Sequence, residues 1–202
     1  MAIEALSKMP YYSEELGLNL TRPEDRFKWF LASLLFAKRI SAEISKRTFR
    51  RFEAEGIVTP EAIIEAGWDK LVEILDSGGY VRYDFSTATK LLEIAKALKE
   101  RYGSLEDLCS QAKDSRDLER MLLEFKGIGP VTVNIFLREL RQVWKKANPQ
   151  PSDIAKQTAA KLGLKQADVV SMESPLVRLS LEFCKRRRCT PCPVRDSCQT
   201  CK

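Results

Sequence analysis

LLEFKGIGPVTVNIFL, residues Leu122–Leu137, has the pattern of two helices joined by a tight turn. The apolar run is interrupted by Gly127-Ile128-Gly129 and resumes after Pro130. Proline suits the first turn of a helix, where its missing N–H is not needed. Glycine allows positive φ angles and a close approach of another molecule to the backbone. The turn is therefore predicted to present the N–H groups of a helix N-terminus, a favourable place for an anion.

The charge of the chain permits a polyanionic partner. Its 202 residues include 34 basic and 28 acidic side chains, for a net charge of +6. The basic residues are concentrated in the segments Lys38–Arg51, Arg138–Lys146 and Lys185–Arg188. A charged segment is usually only a solvated face, but three of them beside a phosphate-type turn favour nucleic acid as the partner.

Several classes of protein are excluded by what the sequence lacks. There is no histidine, which rules out Ser-His-Asp triads, histidine-ligated zinc and histidine general bases. No apolar run is long enough to span a membrane, and the first 17 residues lack the apolar core of a signal peptide. We expect a monomeric protein of the cytoplasm, at the nucleoid, or of the nucleus, and not a secreted one.

Helical periodicity dominates the chain, and no segment has a convincing alternation of apolar and polar residues. We expect an all-α protein of about ten short helices. Breaks are predicted at Gly67 and at a loop covering Asp76–Phe85, and the second hairpin helix is predicted to continue to about Lys146. Helix starts are predicted at a capping box begun by Thr21 and at the N-caps Ser41, Thr59, Ser104 and Ser115.

Four cysteines near the C-terminal end have the spacing C-x4-C-x2-C-x5-C, and Cys201 follows them. They are Cys184, Cys189, Cys192 and Cys198. Thiolates this close together in a reducing compartment indicate a bound metal rather than disulfides. Zinc and a [4Fe–4S] cluster each take four thiolates, and the spacing alone does not choose between them. Cys109 is expected to be a buried core thiol.

Four features, taken in chain order, resemble the endonuclease III branch of the helix-hairpin-helix DNA glycosylases. LLFAK, Leu34–Lys38, is similar to the family's LLSAQ segment, and KGIGPVTV, Lys126–Val133, is similar to its hairpin. Asp153 follows the hairpin at a helix start, as the family's aspartate does. The fourth feature is the cysteine loop. The resemblance covers about residues 20–200.

The resemblance implies a domain organisation and a cofactor. Two helical domains are expected to flank a DNA-binding cleft. One covers 25–143 and contains the hairpin at 122–137. The other combines 1–24 with 144–202 and contains the cysteine loop at 184–201. In the family this loop holds a [4Fe–4S] cluster, so iron is the cofactor implied and zinc the alternative. Cys184 is expected to be the fourth ligand, with Cys201 as a possible substitute.

The function implied is DNA base-excision repair. Such an enzyme binds double-stranded DNA, flips out a damaged or mismatched base and hydrolyses its N-glycosidic bond. Asp153 would be the catalytic carboxylate, the alternative being that it merely caps its helix. Lys38 would fill the gap left by the flipped base or contact a phosphate, and Tyr80 would wedge into the duplex. The other DNA-binding positions implied are Gly127, Ile128, Gly129, Val131 and Thr132.

Two departures from the family pattern refine this expectation. Members that also cleave the strand carry a catalytic lysine at the position of Val131, so a monofunctional glycosylase is expected. Adenine-excising members carry a glutamate at a position that aligns with Ala32. The alternatives left open are an abasic-site (AP-site) lyase that uses a displaced lysine, and a non-catalytic DNA-binding protein.

Overall fold

The structure, a computed structural model, describes residues 2–200, and every regular element in that range is helical. The all-α expectation is confirmed. None of the helices in this range combines the length and apolarity needed to cross a lipid bilayer. The elements are α1 (Ala2–Ser7), α2 (Tyr12–Glu15), α3 (Pro23–Phe36), α4 (Ala42–Ala54), α5 (Pro60–Gly78), α6 (Asp84–Arg101), α7 (Leu105–Gln111), α8 (Ser115–Leu123), α9 (Pro130–Arg138), α10 (Asp153–Lys161), α11 (Gln166–Ser171), α12 (Glu173–Leu179), a π-helix (Ser180–Cys184) and a 3-10 helix (Arg195–Ser197).

The chain divides into two compact units. The central unit is Leu16–Pro149, and the terminal unit combines Met1–Glu15 with Gln150–Lys202. The boundaries expected from the sequence, at 24/25 and 143/144, both fall inside the central unit. Cys201, proposed above as a substitute ligand, lies outside the described residues.

Helix α3 lies at the centre of the central unit. Its side chains from Trp29 to Leu35 are buried. The indole N–H of Trp29 donates a 3.1 Å hydrogen bond to the carbonyl oxygen of Phe136, and the Phe30 and Phe136 rings meet edge to face at 5.1 Å. Burial of aromatic area and a satisfied indole N–H therefore hold α9, the second helix of the predicted hairpin, against α3.

Three helix starts follow the sequence prediction, because a cap needs only residues within one turn. The side chains of Ser41, Thr59 and Ser104 accept hydrogen bonds from backbone N–H groups three residues further along, in α4, α5 and α7. Two other predicted caps are wrong. Thr21 donates to Asn19 and forms no capping box, so α3 begins at Pro23 without a side-chain cap. Asp114 caps α8 in place of Ser115.

Helix lengths differ from the sequence prediction in two places. Gly67 interrupts α5 as expected, with φ 72° and ψ 176°, but the helix continues to Gly78. The predicted loop Asp76–Phe85 is therefore confined to residues 79–83. The second hairpin helix ends at Arg138 rather than near Lys146, and turns occupy 139–143 and 145–146.

Arg178 ties the two chain segments of the terminal unit together. Its guanidinium donates to the carbonyl oxygen of Pro10 at 2.6 Å and to the carboxylates of Glu15 at 2.5 Å and Glu182 at 2.9 Å. It also lies 5.1 Å from the ring centre of Tyr12. Charge-assisted hydrogen bonds in a mostly buried setting are the stronger kind, so this one side chain holds the N-terminal helices against α12.

Candidate nucleic-acid interface and metal centre

The turn at 124–129 joins α8 to α9 and exposes the N-terminus of α9. Gly127 has φ +97°, which favours glycine, whereas Gly129 is extended and serves as the N-cap before Pro130. The first backbone hydrogen bond of α9 runs from Val133 N–H to the carbonyl oxygen of Gly129. The N–H groups of Val131 and Thr132 precede it and have no carbonyl within the helix to reach. Val131 is exposed whereas Thr132 is buried, and only Gly127 needs glycine for its backbone angle.

An open pocket lies beside this turn, inside the central unit. Its volume is about 220 Å³. Three stretches of chain line it: the end of α3 with Lys38, one face of α6 with Thr87 and Lys90, and the hairpin turn itself. The structure therefore brings Lys38 together with Gly127, Gly129, Val131 and Thr132, whereas Ile128 is buried and is not among the residues that line the pocket. Val131 is 62% exposed.

Lys38 and Lys90 interact across the pocket. Burial, together with the neighbouring Lys90, lowers the pKa of Lys38 from 10.5 to about 8. The aliphatic part of Lys90 lies against Gly127, since a Cβ at that glycine would be 2.7 Å from Lys90 Cδ. Because Gly127 has no side chain, the turn can form there and the side chain of Lys90 can pack against it.

Thr87 adds a polar group to the same pocket. Its side chain is 3% exposed, and its Oγ1 has no hydrogen-bond partner within residues 2–200. A buried hydroxyl without a partner costs free energy that a bound ligand or water recovers. The hydroxyl oxygen is enclosed within the wall of the pocket rather than exposed to it.

Tyr80 is not available for the wedge role that the resemblance implied. Its side chain is fully buried, and its hydroxyl donates a 2.6 Å hydrogen bond to the carbonyl oxygen of Leu35. The same short loop exposes Val81 instead, 60% of which is accessible, and Arg82, whose guanidinium lies 5.7 Å from the ring centre of Tyr83. Val81 and Arg82 are the exposed side chains of residues 79–83 and therefore the candidates in this loop for contact with a duplex.

Asp153 is the first residue of α10 in the terminal unit. Ser152 caps that helix by accepting from the N–H of Ala155, so Asp153 is not the cap. The carboxylate of Asp153 is 89% exposed and lies 3.6 Å from the Lys156 ammonium. A second contact fixes the start of the helix, because Ser152 N–H donates to the carboxylate of Glu173 at 2.8 Å. The result is an accessible carboxylate on a rigid helix start.

The four predicted ligand cysteines line one small pocket of the terminal unit, with a volume of about 10 Å³. Cys184 ends the π-helix that continues α12, and the other three lie on the following loop, where the Cys192 N–H donates to the carbonyl oxygen of Cys189. Burial raises the pKa of the Cys184 and Cys192 thiols, and each also interacts electrostatically with the other cysteines. Cys109, predicted to be a core thiol, is only half-buried.

The fit of this pocket to a metal depends on how its donors are spaced. Within residues 2–200, no three cysteine, aspartate or glutamate side chains converge closely enough to hold a single ion. Tetrahedral zinc needs such convergence, since each thiolate lies about 2.3 Å from the ion. Four cysteine thiolates are the ligand set of a zinc ion and of a [4Fe–4S] cluster alike, so the donor set fits either group. The donor set is soft sulfur throughout, which also suits iron–sulfur chemistry.

No family model matches the chain. The chain is similar to a protein of Methanocaldococcus jannaschii named "Putative DNA repair glycosylase". The two are 20% identical over an alignment of 222 positions, which spans 94% of this chain and 91% of that protein. The similarity therefore extends over both units of the structure.

Sequence reasoning did not identify Thr87 or Lys90 as site residues. Both lie on α6, about forty residues before the hairpin turn, in a segment whose pattern is that of an ordinary amphipathic helix. Only the packing of α6 beside the turn brings them to the pocket. The one sequence signal was Gly127 itself, because glycine allows another group to approach the backbone closely.

Proposed function

We propose that this protein is a DNA repair glycosylase. It binds double-stranded DNA, extrudes a damaged or mismatched base and hydrolyses the N-glycosidic bond. The observation that carries the proposal is the pocket at the hairpin turn, where two lysines and the exposed N-terminus of α9 occur together. The similarity of nearly the whole chain to a protein named for DNA repair glycosylase activity supports it.

The hairpin turn binds a phosphate of the DNA backbone in this proposal. The N–H groups of Val131 and Thr132 point out of the helix with the positive end of its dipole behind them. Lys38 and Lys90 add positive charge beside them. Contacts of this kind position the duplex but read no sequence, which suits an enzyme that must find a damaged base in any context. The turn then acts as a helix-hairpin-helix element.

The chemical step belongs to Asp153. Cleavage of the N-glycosidic bond develops positive charge on the sugar, and a fixed carboxylate stabilises that charge and orients the attacking water. The base must first leave the stack, which costs least when it is damaged or mismatched. Hydrolysis by water needs no amine nucleophile, in agreement with Val131 at the hairpin position. Base excision is accordingly monofunctional.

We assign a [4Fe–4S] cluster to Cys184, Cys189, Cys192 and Cys198. When bound, such a cluster cross-links the cysteines that hold it and can carry an electron. The run Lys185–Arg188 lies between the first two cysteines, and all four of its side chains are exposed. Anchoring both ends of this run displays four cations on a rigid loop, which favours contact with phosphates.

The function is tested with a panel of duplexes, each carrying one damaged or mismatched base. We expect release of at least one free base, leaving an AP site. The variant Asp153→Asn should retain duplex binding and lose excision. Asp69→Asn, which removes an exposed carboxylate of the central unit, is the matched control and should excise normally.

Two outcomes would contradict the proposal. If no duplex of the panel loses its base to the wild-type protein, the glycosylase assignment is wrong. Full excision by Asp153→Asn would instead remove that carboxylate from the mechanism while leaving the activity in place.

A further inference from the structure

We propose that Glu173 is a positioning residue for base excision, because its buried carboxylate holds the backbone that carries Asp153. The inference rests on the proposed function, in which Asp153 is the group that acts on the sugar. Glu173 lies 21 positions after Ser152 in the chain, and it touches no substrate in this assignment. Its effect on the reaction passes entirely through the place that it gives to Asp153.

The side chain of Asp153 is held only weakly by its contact with Lys156. The carboxylate is 89% exposed, and the Lys156 ammonium, 3.6 Å away, belongs to a side chain that is 45% exposed. An ion pair between two exposed groups contributes little and is screened by salt. The position of the carboxylate therefore depends on the backbone at the start of α10.

Glu173 fixes that backbone one residue before Asp153. Ser152 donates its backbone N–H to the Glu173 carboxylate at 2.8 Å. The hydroxyl of Ser152 accepts the N–H of Ala155 at 3.4 Å, within the first turn of α10. The bond to Glu173 thus joins the start of α10 to α12, whereas the bond from Ala155 stays inside α10.

The packing of α10 on α12 makes Glu173 a fixed acceptor. Glu173 is the first residue of α12, and its side chain is 1% exposed. Ala155 and Ala159 of α10 belong to the same buried apolar cluster as Leu176 of α12. Close packing of buried side chains leaves the two helices little freedom to move against each other. The length of the Glu173 side chain therefore sets the position of the Ser152 N–H.

The burial of this carboxylate is costly, and an apolar residue would not carry that cost. A charge removed from water loses solvation free energy unless hydrogen bonds replace the water. The Ser152 N–H supplies such a bond, and the first turn of a helix favours a negative charge. A leucine at position 173 would instead leave the Ser152 N–H without this acceptor. What the carboxylate contributes is an acceptor at a defined place.

A small displacement of Asp153 should slow the chemical step. A carboxylate that stabilises charge on the sugar acts at short range, and a misplacement of roughly 1 Å can cost about a hundredfold in rate. Asp153 follows Ser152 directly, so a shift at Ser152 also moves Asp153. Duplex binding, which is assigned to the hairpin turn of the central unit, should not change.

Two substitutions at Glu173 separate the reach of the side chain from its charge. Glu173→Gln keeps the length and an oxygen acceptor but removes the charge. Glu173→Asp keeps the charge but is shorter by one methylene, so the carboxylate withdraws from Ser152. Aspartate favours a helix start, so this variant is expected to fold.

The first measurement is the single-turnover rate of base excision by the full chain, on the duplex of the panel that the wild type processes fastest. We expect the rate to fall by about tenfold or more in Glu173→Asp. The rate of Glu173→Gln should stay within about threefold of the wild type. The protein concentration that gives half of the maximal rate should be the same for both variants and the wild type.

Amide hydrogen exchange, followed by NMR, gives a second readout that needs no substrate. The Ser152 N–H should exchange at least about tenfold faster in Glu173→Asp and at nearly the wild-type rate in Glu173→Gln. Leu6→Ala is the control for a merely structural loss, because Leu6 is buried in the same apolar cluster as α10 and α12. It should lower stability and leave the single-turnover rate of the folded protein unchanged.

The outcomes separate this inference from the proposed function. A wild-type excision rate in Glu173→Asp, an equal loss in Glu173→Gln, or unchanged exchange at Ser152 overturns the positioning role, even if base excision is observed. A rate loss in Leu6→Ala as large as that in Glu173→Asp overturns it as well. If the wild type excises no base while the Ser152 exchange still depends on Glu173 as expected, the glycosylase proposal alone is contradicted.

Discussion

The hydroxyl of Tyr80 and the carbonyl oxygen of Leu35 are joined by a 2.6 Å hydrogen bond in the core of the central unit. The Ser45 hydroxyl donates to the same carbonyl oxygen at 3.2 Å. Leu35 lies at the end of α3, three residues before Lys38. The two bonds therefore tie the loop at 79–83 and helix α4 to the segment that leads into the hairpin pocket.

Removing the Tyr80 hydroxyl should weaken this connection moderately. We expect Tyr80→Phe to lower the free energy of unfolding by about 1 kcal/mol, because one buried hydrogen bond is lost while the Ser45 bond remains. The measurement is urea unfolding followed by circular dichroism. Adding Ser45→Ala should cost more than the two single changes together, since the carbonyl then has neither side-chain partner.

Tyr83→Phe is the matched control, because the Tyr83 ring is only half-buried. It should leave stability nearly unchanged. A Tyr80→Phe variant as stable as the wild type would contradict the contribution assigned to this hydrogen bond.

A second prediction concerns the close approach of α5 to α4 at Gly78. A Cβ on Gly78 would lie 2.7 Å from Thr48 Cα, which is backbone and cannot turn aside. We expect Gly78→Ala to destabilise the protein by about 1–3 kcal/mol through overpacking. Gly129→Ala is the comparison, because a Cβ there meets nothing within 4 Å and its φ of −117° suits alanine. Equal thermal stability of the two variants would contradict this packing.

A third prediction tests the anion site at the start of α9. Val131→Asp places a carboxylate at an exposed helix N-terminus, where it favours the helix but repels a phosphate. Thermal stability should stay within about 0.5 kcal/mol of the wild type. Duplex affinity should fall by about tenfold at low salt, measured by fluorescence anisotropy, and less at high salt.

Val131→Asn is the matched control, because asparagine has the shape of aspartate without its charge. This variant should bind the duplex nearly as tightly as the wild type does. Equal affinity of the Asp and Asn variants at low salt would show that no phosphate lies at this helix end.

A fourth prediction concerns the metal. The purified protein should be yellow-brown, contain iron and acid-labile sulfide, and bleach on oxidation. Cys192→Ser should lose iron, because a hydroxyl is a poor ligand for such a cluster. Cys109→Ser should retain it, since that residue belongs to the central unit. A colourless protein with bound zinc would contradict the iron–sulfur assignment.

Local features of this chain followed from the sequence because they depend on neighbouring residues alone. The caps at Ser41, Thr59 and Ser104 need only an oxygen and an N–H three positions away. The break at Gly67 and the turn around Gly127 need only the backbone freedom of glycine. Such interactions do not depend on how the helices pack, so the all-α class and most helix starts were predictable.

What lies around the hairpin was decided only by the tertiary structure. The second hairpin helix stops at Arg138, after which Trp144 packs on Phe136 and the Lys146 ammonium donates to the carbonyl oxygen of Cys109 at 2.9 Å. The burial of Tyr80 and the meeting of Lys38 with Lys90 likewise join segments more than forty residues apart. Burial and desolvation are properties of packed surfaces, so no local pattern could have located the pair of lysines at this pocket.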